Sequence, residues 1–187
     1  MKLSMIFSPF IFFLALSAQA LVPLTSQIQG VDVVTSEAKQ FAFPSDHKAT
    51  VVVFLSAKCP CSASHEDLLN KMSQTFKEFT FVGMHANADE TSDIVKKHFS
   101  EKNLSFPILH DKKGQLAQLL GALKTPHAFV FDKQGQLLYH GGVTDSHVGP
   151  SAKKHFLQEV LEDLRAERPL RHKEGRALGC YIQREED

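Results

Sequence analysis

The hydrophobic pattern divides the first half of the chain into short apolar runs and segments of helical periodicity. Residues 50–56 form a continuous, β-branched apolar run, which predicts a central strand buried on both faces. Residues 60–79 change to a helical period, and their apolar positions define one helix face: Leu68, Leu69, Met72, Phe76 and Phe79. The apolar run 79–84 then predicts a second strand. The chain therefore alternates strand and helix from residue 50 onward.

The same alternation continues on both sides of this unit. Residues 27–43 are rich in β-branched positions and predict β structure before the central strand. Further along, the pattern predicts a helix over 91–102, a short strand over 107–109, and a helix over 113–120 that ends at Gly121. Alternating units of this kind favour parallel strands with helices on both faces of the sheet.

The C-terminal half has a different pattern. Two apolar runs, 128–131 and 136–140, flank a turn that ends at Gly135, which predicts an antiparallel hairpin. A last amphipathic helix is expected over 150–165. The hairpin would add antiparallel strands to the parallel part, so the expected fold is α/β with a central mixed sheet.

The N-terminus has the features of a secretory signal peptide. Lys2 is followed by the apolar stretch 6–16 and by the small-x-small sequence Ala18-Gln19-Ala20. We therefore expect residues 1–20 to be a cleaved signal peptide and the protein to be exported, to a periplasmic or extracellular location. The stretch is too short for a membrane span, so no integral span is expected after cleavage. An uncleaved anchor or a buried first strand is the alternative.

Composition limits the partners. The chain has 187 residues, is 43% hydrophobic, and has a formal net charge of +0 with a pI near 7.2. This length suggests one domain, which we place at 21–165, followed by a charged C-terminal tail, 166–187, that carries Cys180. The balanced charge argues against nucleic acid or an anionic membrane surface as partner. The oligomeric state stays open.

The candidate chemistry lies at Cys59-Pro60-Cys61, where the buried strand meets the first long helix. Proline is favoured in a first helical turn, so Cys59 is expected at the N-cap and Cys61 at the second helical position. Free backbone N–H groups and the helix dipole favour an ionised, nucleophilic thiolate at such a position. The three cysteines are an odd number in an oxidising compartment, so either one pair forms and one cysteine is left over, or all three exchange; a purely structural framework would favour an even number. A buried structural pair is the alternative.

Three segments carry a resemblance to a known family. Val51–Cys61 resembles the strand-and-nucleophile segment of redoxins, and Gly121–Asp132 resembles their Thr-Pro loop and following strand. Glu174–Ile182 is similar to the ending of exported redoxins of the alkyl hydroperoxide reductase/thiol-specific antioxidant type. The resemblance implies membership of the thioredoxin superfamily and a thioredoxin-like fold, in agreement with the predicted order of elements.

The resemblance also implies roles for individual residues. In this superfamily the loop proline is cis and contacts the reactive cysteine, which implies that Thr125 and Pro126 lie beside Cys59 and position the substrate. Ser56 matches the hydroxyl position that precedes the nucleophile of peroxide-reducing members. Cys59 would attack a disulfide, and Cys61 or Cys180 would resolve the mixed disulfide. For Cys180, an exposed or tail-anchoring cysteine is the alternative.

The expected function is thus that of an exported thiol–disulfide oxidoreductase, with an extension to peroxide reduction as an antioxidant. Its partners would be a protein thiol or disulfide, or a small peroxide. The spacing departs from that of thioredoxins, because one residue instead of two separates Cys59 from Cys61. The segments before Cys59 and around Thr125 also lack the proline and arginine of true peroxiredoxins, so thiol–disulfide exchange is favoured over peroxidase activity.

Two histidines suggest an alternative function. His65 follows Cys61 by four residues, and His127 follows the expected cis proline. Two thiolates and an imidazole suit copper or zinc, and the set Cys59, Cys61, His65 and His127 loosely resembles the exported Sco copper chaperones. Otherwise no metal and no cofactor is expected. A redox-inert binding module is a third possibility.

Overall fold

The structure is a computed structural model that describes residues 27–184. The predicted signal peptide, residues 1–20, lies outside the described residues, as do 21–26 and 185–187. The strands are β1 (Gln27–Val31), β2 (Ala38–Ala42), β3 (Ala49–Leu55), β4 (Phe79–His85), β5 (Ile108–His110), β6 (Lys124–Thr125), β7 (His127–Asp132), β8 (Leu137–Gly141) and β9 (Cys180–Tyr181). The α-helices are α1 (Pro60–Thr75), α2 (Ser92–Lys102), α3 (Gln115–Leu120) and α4 (Phe156–Arg165).

Five strands form a central mixed sheet in the order β5-β4-β3-β7-β8. β3 is parallel to β4 and β4 to β5, while β7 runs antiparallel to both β3 and β8. Two shorter pairs stand outside this sheet, β1 with β2 and β6 with β9. The predicted α/β fold with a central mixed sheet is confirmed.

The continuous apolar run of β3 is explained by burial on both faces of the sheet. Because side chains alternate along a strand, Val51, Val53 and Leu55 face one side and Val52 and Phe54 face the other. The first set packs in a core cluster with apolar residues of α1, α2 and α4. The second set packs with residues of α3 and β1 and with Ile182 near the C-terminus. Helices therefore cover both faces, as expected.

The last helix begins later than the apolar pattern predicts, at Phe156 instead of residue 150. A 3-10 turn occupies Gly149–Ser151. The carboxylate of Asp145 then accepts hydrogen bonds from the backbone N–H groups of Lys153 (2.8 Å) and Lys154 (3.0 Å), which holds this segment out of the helix.

The predicted charged tail is part of the packed structure as far as residue 184. Asp163 of α4 accepts hydrogen bonds from the Arg171 side chain, which secures the beginning of this segment. The backbone of Gly175 donates to the carbonyl of His140 on the edge strand β8 (3.0 Å). Ile182 is buried. None of the helices within residues 27–184 has the length and apolar character that a membrane span requires.

Candidate active site: a cluster of three cysteines

Cys59 lies at the N-terminus of α1, immediately after the central strand. It is the N-cap residue, and its sulfur accepts the backbone N–H of Ser62 at 3.5 Å. Its own N–H donates to Ser56 Oγ at 3.0 Å. Pro60 and Cys61 take the first two helical positions, as the sequence predicts. The Cys59 side chain is buried, at 3% exposure, so its environment is set by the protein rather than by water.

Cys59 is joined to Cys180 by a disulfide, with their Cα atoms 5.9 Å apart. Strand β9 brings Cys180 to this point, because Cys180 lies opposite Thr125 in the antiparallel β6–β9 pair. The Thr125–Pro126 peptide bond is cis, and the sulfur of Cys59 lies 3.3 Å from the Thr125 carbonyl oxygen. The expectation that Thr125 and Pro126 lie beside Cys59 is thereby met.

Cys61 is the third member of the cluster and is a free, half-buried thiol. The sulfur atoms of the three cysteines all lie within 4.8 Å of one another. The Nδ1 atom of His147 lies 3.7 Å from the Cys61 sulfur. A thiol beside an imidazole is the arrangement of a nucleophile and its base. Sequence analysis did not single out His147, since it is 86 residues away and follows no motif.

His65 holds the first turn of α1 against the loop that carries His147. One of its ring nitrogens, Nδ1, lies 2.7 Å from the Cys61 carbonyl oxygen, and the other, Nε2, lies 2.9 Å from Thr144 Oγ1. Burial lowers the pKa of His65, against the opposing effect of the hydrogen bond to the Cys61 carbonyl. Both nitrogens are thus engaged within the protein, and the structure does not bring His65 to the three sulfurs as a metal ligand.

His127 also lies apart from the sulfurs. Its ring packs against Phe129, with 4.5 Å between the ring centroids, and its Nδ1 atom is buried without a hydrogen-bond partner. Burial, assisted by the nearby charge of His140, lowers the pKa of His127 to about 4. Within residues 27–184, the side chains that converge closely enough to share a metal ion are the three cysteines, without a histidine.

A buried carboxylate organises the loop before Cys59. Glu90 accepts hydrogen bonds from the Ser56 hydroxyl and from the backbone N–H of Ala57 (2.8 Å), and it pairs with His85 Nε2 (3.1 Å). Burial tends to raise the pKa of Glu90, but these hydrogen bonds outweigh it and hold the pKa at about 2. Because the Ser56 oxygen also accepts the Cys59 N–H, Glu90 orients Ser56 and, through it, Cys59.

The Glu90 network changes the interpretation of Ser56. The hydroxyl lies three residues before the nucleophile, as expected, but it donates to Glu90 and accepts from Cys59. Its role in this arrangement is to position the loop. Glu90 itself went unnoticed in the sequence, because a single acidic residue after a strand has no distinguishing pattern.

Residues 31–184 match the family model described as "Domain of unknown function (DUF6436)". The chain belongs to this family. The matched range contains all three cysteines and all of the structured C-terminal segment to residue 184.

Among curated proteins, the chain is similar to the thiol-disulfide oxidoreductase ResA of Bacillus thuringiensis subsp. konkukian, with 26% identity over 91 residues. This match covers 49% of the chain, which spans about half (53%) of the length of the relative. Among solved structures, an uncharacterized conserved protein from Geobacillus kaustophilus has a TM-score of 0.75 at 22% identity, with 87% of this chain and 91% of that chain covered.

A thioredoxin-like protein from Aeropyrum pernix has a TM-score of 0.55 at 15% identity, with 75% of this chain and 89% of that chain covered. Identities this low support a shared fold rather than a shared activity. The comparisons therefore confirm the thioredoxin-like fold of this family member.

Proposed function

We propose that the protein is a thiol–disulfide oxidoreductase in which Cys59 exchanges with a substrate disulfide and Cys180 resolves the product. The supporting observation is the Cys59–Cys180 disulfide at the N-terminus of α1, with the free thiol of Cys61 in the same cluster. Free backbone N–H groups at the helix start favour the thiolate form of a cysteine, which is both the better nucleophile and the better leaving group at neutral pH. The partial match to ResA agrees with this chemistry.

In the reductive direction, the Cys59 thiolate attacks one sulfur of a substrate disulfide. A Cys59–substrate disulfide forms, and the second substrate sulfur leaves as a thiolate that takes up a proton. The Cys180 thiolate then attacks the Cys59 sulfur, so the Cys59–Cys180 bond forms and the first substrate sulfur leaves. Two electrons pass from the protein dithiol to the substrate, and an external dithiol is needed to reduce the protein again.

Cys61 provides an internal route for opening the Cys59–Cys180 disulfide. Attack by the Cys61 thiolate on the Cys180 sulfur forms a Cys61–Cys180 bond and releases the Cys59 thiolate, with no net oxidation. Attack on the Cys180 sulfur, rather than on the Cys59 sulfur, avoids closing the short Cys-Pro-Cys ring. It also leaves the negative charge on Cys59, at the helix N-cap. His147, at 3.7 Å, is placed to accept the proton of Cys61.

Two finer features belong to the same proposal. The protein would act after export, as the features of residues 1–20 suggest. It would reduce disulfides in preference to peroxides, because the Ser56 hydroxyl is engaged by Glu90 and is not turned toward an incoming oxygen. Peroxide consumption by the reduced protein, measured beside disulfide reduction, tests this preference.

Turnover of a model protein disulfide, with dithiothreitol as the reductant, tests the proposal. Cys59→Ser should abolish turnover above the dithiothreitol background. Cys180→Ser should accumulate the mixed disulfide between Cys59 and substrate, which intact-mass analysis detects. Cys61→Ser keeps the Cys59–Cys180 pair, which dithiothreitol opens directly, so this variant should still turn over and reports on the internal route rather than on the exchange at Cys59. Turnover by Cys59→Ser equal to that of the unaltered protein would end the proposal.

A second candidate function is the binding of a soft metal ion such as Cu(I). Once the disulfide is reduced, three thiolates whose sulfurs lie within 4.8 Å of one another offer the ligand type that Cu(I) prefers. In this ligand set, Cys180 takes the place of the two histidines, His65 and His127, that the sequence suggests as copper ligands. Titration of the reduced protein with Cu(I) against a chromophoric competitor decides the matter. Equal affinity for the unaltered chain and the Cys59→Ser/Cys61→Ser variant would exclude a copper site.

A further inference from the structure

The C-terminal segment 179–183, which contains strand β9, is held as an extended peptide with main-chain hydrogen bonds on both of its sides. On one side, Cys180 pairs with Thr125, and the backbone N–H of Ile182 donates to the Leu123 carbonyl at 3.0 Å. Through these contacts the segment lies beside strand β6 as its antiparallel partner. A segment bound in this way is an example of β-augmentation, in which main-chain hydrogen bonds provide affinity that does not depend on sequence.

The other side of the segment contacts the loop that follows β4. The backbone N–H of Ala88 donates to the carbonyl of Gln183 at 2.9 Å, and the backbone N–H of Gln183 donates to Asn87 Oδ1 at 3.0 Å. Residues 179–183 therefore lie in a groove. One wall is the segment 122–125, and Asn87 and Ala88 form the opposite wall at the Gln183 end. In the present structure, the protein's own C-terminal segment fills this groove.

The groove distinguishes three side-chain positions along the bound segment. At Gly179, an added Cβ atom would collide with the Thr125 carbonyl oxygen, so this position accepts a residue without a side chain. At Ile182, the side chain is buried in the apolar cluster on the α3 side of the sheet. Between them, Tyr181 is 65% exposed, and its ring lies 4.9 Å from the Lys124 ammonium nitrogen. The readable pattern is a glycine, a cysteine, an exposed residue and an aliphatic residue.

When the segment leaves the groove, the domain core loses one of its side chains, that of Ile182. Upstream of the segment, two interactions keep the chain attached: the Arg171 side chain donates to the Asp163 carboxylate, and the Gly175 N–H donates to the His140 carbonyl. Downstream of Gly179, the attachments are the disulfide, a few main-chain hydrogen bonds, the buried Ile182 side chain and two exposed side-chain contacts. These last are Tyr181 with Lys124 and the Arg184 guanidinium, which donates to the Ala122 carbonyl. Opening the Cys59–Cys180 bond removes the one covalent attachment of this stretch.

We propose that the groove is a substrate-binding site for extended polypeptides in which a cysteine follows glycine and precedes an aliphatic residue by two positions. The segment 179–183 is then an internal stand-in for the substrate, and the Cys59–Cys180 disulfide corresponds to the substrate–enzyme mixed disulfide. This proposal rests on the proposed function, because it names the substrate class of the same site. An incoming peptide competes with the protein's own segment for one place.

The full-length Cys61→Ser/Cys180→Ser variant tests the proposal, since Cys59 is then the sole thiol. The probe is a peptide copying residues 176–184, activated as a mixed disulfide with thionitrobenzoate, and release of the chromophore gives the rate of reaction with Cys59. In the peptide, Gly179→Val and Ile182→Asp should each slow the reaction at least tenfold. Tyr181→Phe, which keeps an aromatic ring beside Lys124, is the matched control and should change the rate less than twofold. Equal rates for all four peptides would overturn the proposal.

Loosening the protein's own segment provides a second test. In the same cysteine variant, Ile182→Ser in the chain should speed capture of the unaltered peptide several-fold, because the internal competitor is weakened. Tyr181→Phe in the chain keeps the ring beside Lys124, serves as the control and should leave the rate unchanged. No acceleration in a folded Ile182→Ser chain would contradict competition for one groove. If this variant does not fold, the peptide series decides alone.

The outcome for the proposed function is read separately with Ellman's reagent, a small disulfide that needs no groove. Cys59 that reacts with this reagent but shows no preference among the peptides rejects the groove and leaves the oxidoreductase proposal standing. Cys59 in folded protein that reacts with neither the reagent nor any peptide rejects both.

Discussion

Cys180 lies directly opposite Thr125 in the antiparallel β6–β9 pair, and this register brings its sulfur to Cys59, 121 residues earlier in the chain. A short strand at the C-terminus thus completes a site that begins at the end of the central strand. The site depends on this register, because moving the pairing by one residue would turn the Cys180 side chain to the opposite face.

The Cys59–Cys180 disulfide should stabilise the folded protein strongly, because it closes a long loop of the chain. Cross-linking residues separated by 121 positions restricts the unfolded chain, and the chain-entropy model gives about 4–5 kcal/mol for a loop of this length. We expect Cys180→Ser to lower the free energy of unfolding of the oxidised protein by a few kcal/mol, measured by urea denaturation. Cys61→Ser is the control and should have little effect. The same denaturation midpoint for both variants would contradict this prediction.

Gly179→Ala should impair formation of the disulfide. A Cβ atom at this position meets the Thr125 carbonyl oxygen, which is backbone and cannot move aside at low cost. We expect slower oxidation of Cys59 with Cys180 and a larger fraction of reduced protein at a given glutathione ratio, measured by thiol trapping and mass analysis. Gln183→Ala, at an exposed side chain, should oxidise normally. An unchanged oxidation rate for Gly179→Ala would show that the close contact is unimportant.

Glu90→Gln should destabilise the loop before Cys59. An amide cannot accept all the hydrogen bonds that Glu90 receives from Ser56, Ala57 and His85, and hydrogen bonds to a charged group are worth about 1.5–3 kcal/mol each. We expect a loss of about 2 kcal/mol in the free energy of unfolding at pH 7. Asp89→Asn is the matched control at a half-exposed neighbour and should change stability little.

The pH dependence of Glu90 gives a further check on the same variant. The pKa of its carboxyl is held at about 2 in the folded protein, below the ordinary value of 4.5. The unfolded chain therefore binds more protons than the folded chain between these values, and the stabilisation, complete above pH 4.5, is lost as the pH falls toward 2. Glu90→Gln should be less sensitive to acid over this interval. An identical acid profile would contradict the assignment.

His127 should make the protein less stable as the pH falls from about 6.5 to about 4. Burial lowers the pKa of His127 from 6.5 to about 4, so in this interval the unfolded chain binds more protons than the folded chain. Stability decreases toward acid by up to about 1.4 kcal/mol per pH unit. His127→Phe keeps the packing against Phe129 and should flatten the profile, apart from the part due to His65. His47→Gln, at an exposed position, is the control.

Cys61 should react faster with alkylating agents because of His147. In the oxidised protein Cys59 and Cys180 are joined, so iodoacetamide reports on Cys61 alone. We expect His147→Ala to slow this alkylation several-fold near neutral pH, because the imidazole beside the thiol is then missing. His47→Ala, a change at an exposed histidine outside the cluster, is the control and should leave the rate unaltered. Equal rates for both variants would remove His147 from the mechanism.

The position of Cys59 at a helix start follows from the local sequence. Pro60 has no N–H and suits the first helical position, so the placement of Cys59 at the N-cap of α1 could be predicted and is confirmed. The cis Thr125–Pro126 bond beside Cys59 was expected from a family resemblance, and the structure contains it. By contrast, the region 166–184 reads in the sequence as a charged tail, although it supplies strand β9 and the buried Ile182.

The sequence alone determined the order of the main strands and helices, because hydrophobic periodicity reflects which face of each element is buried. It also placed one cysteine at a helix start, since that is a matter of neighbouring residues. Tertiary structure decided which cysteine pairs with Cys59, that Glu90 orients Ser56, and that His147 rather than His65 lies beside the Cys61 thiol. These contacts join residues 34 to 121 positions apart, and they exist only after the sheet has brought its loops to one edge.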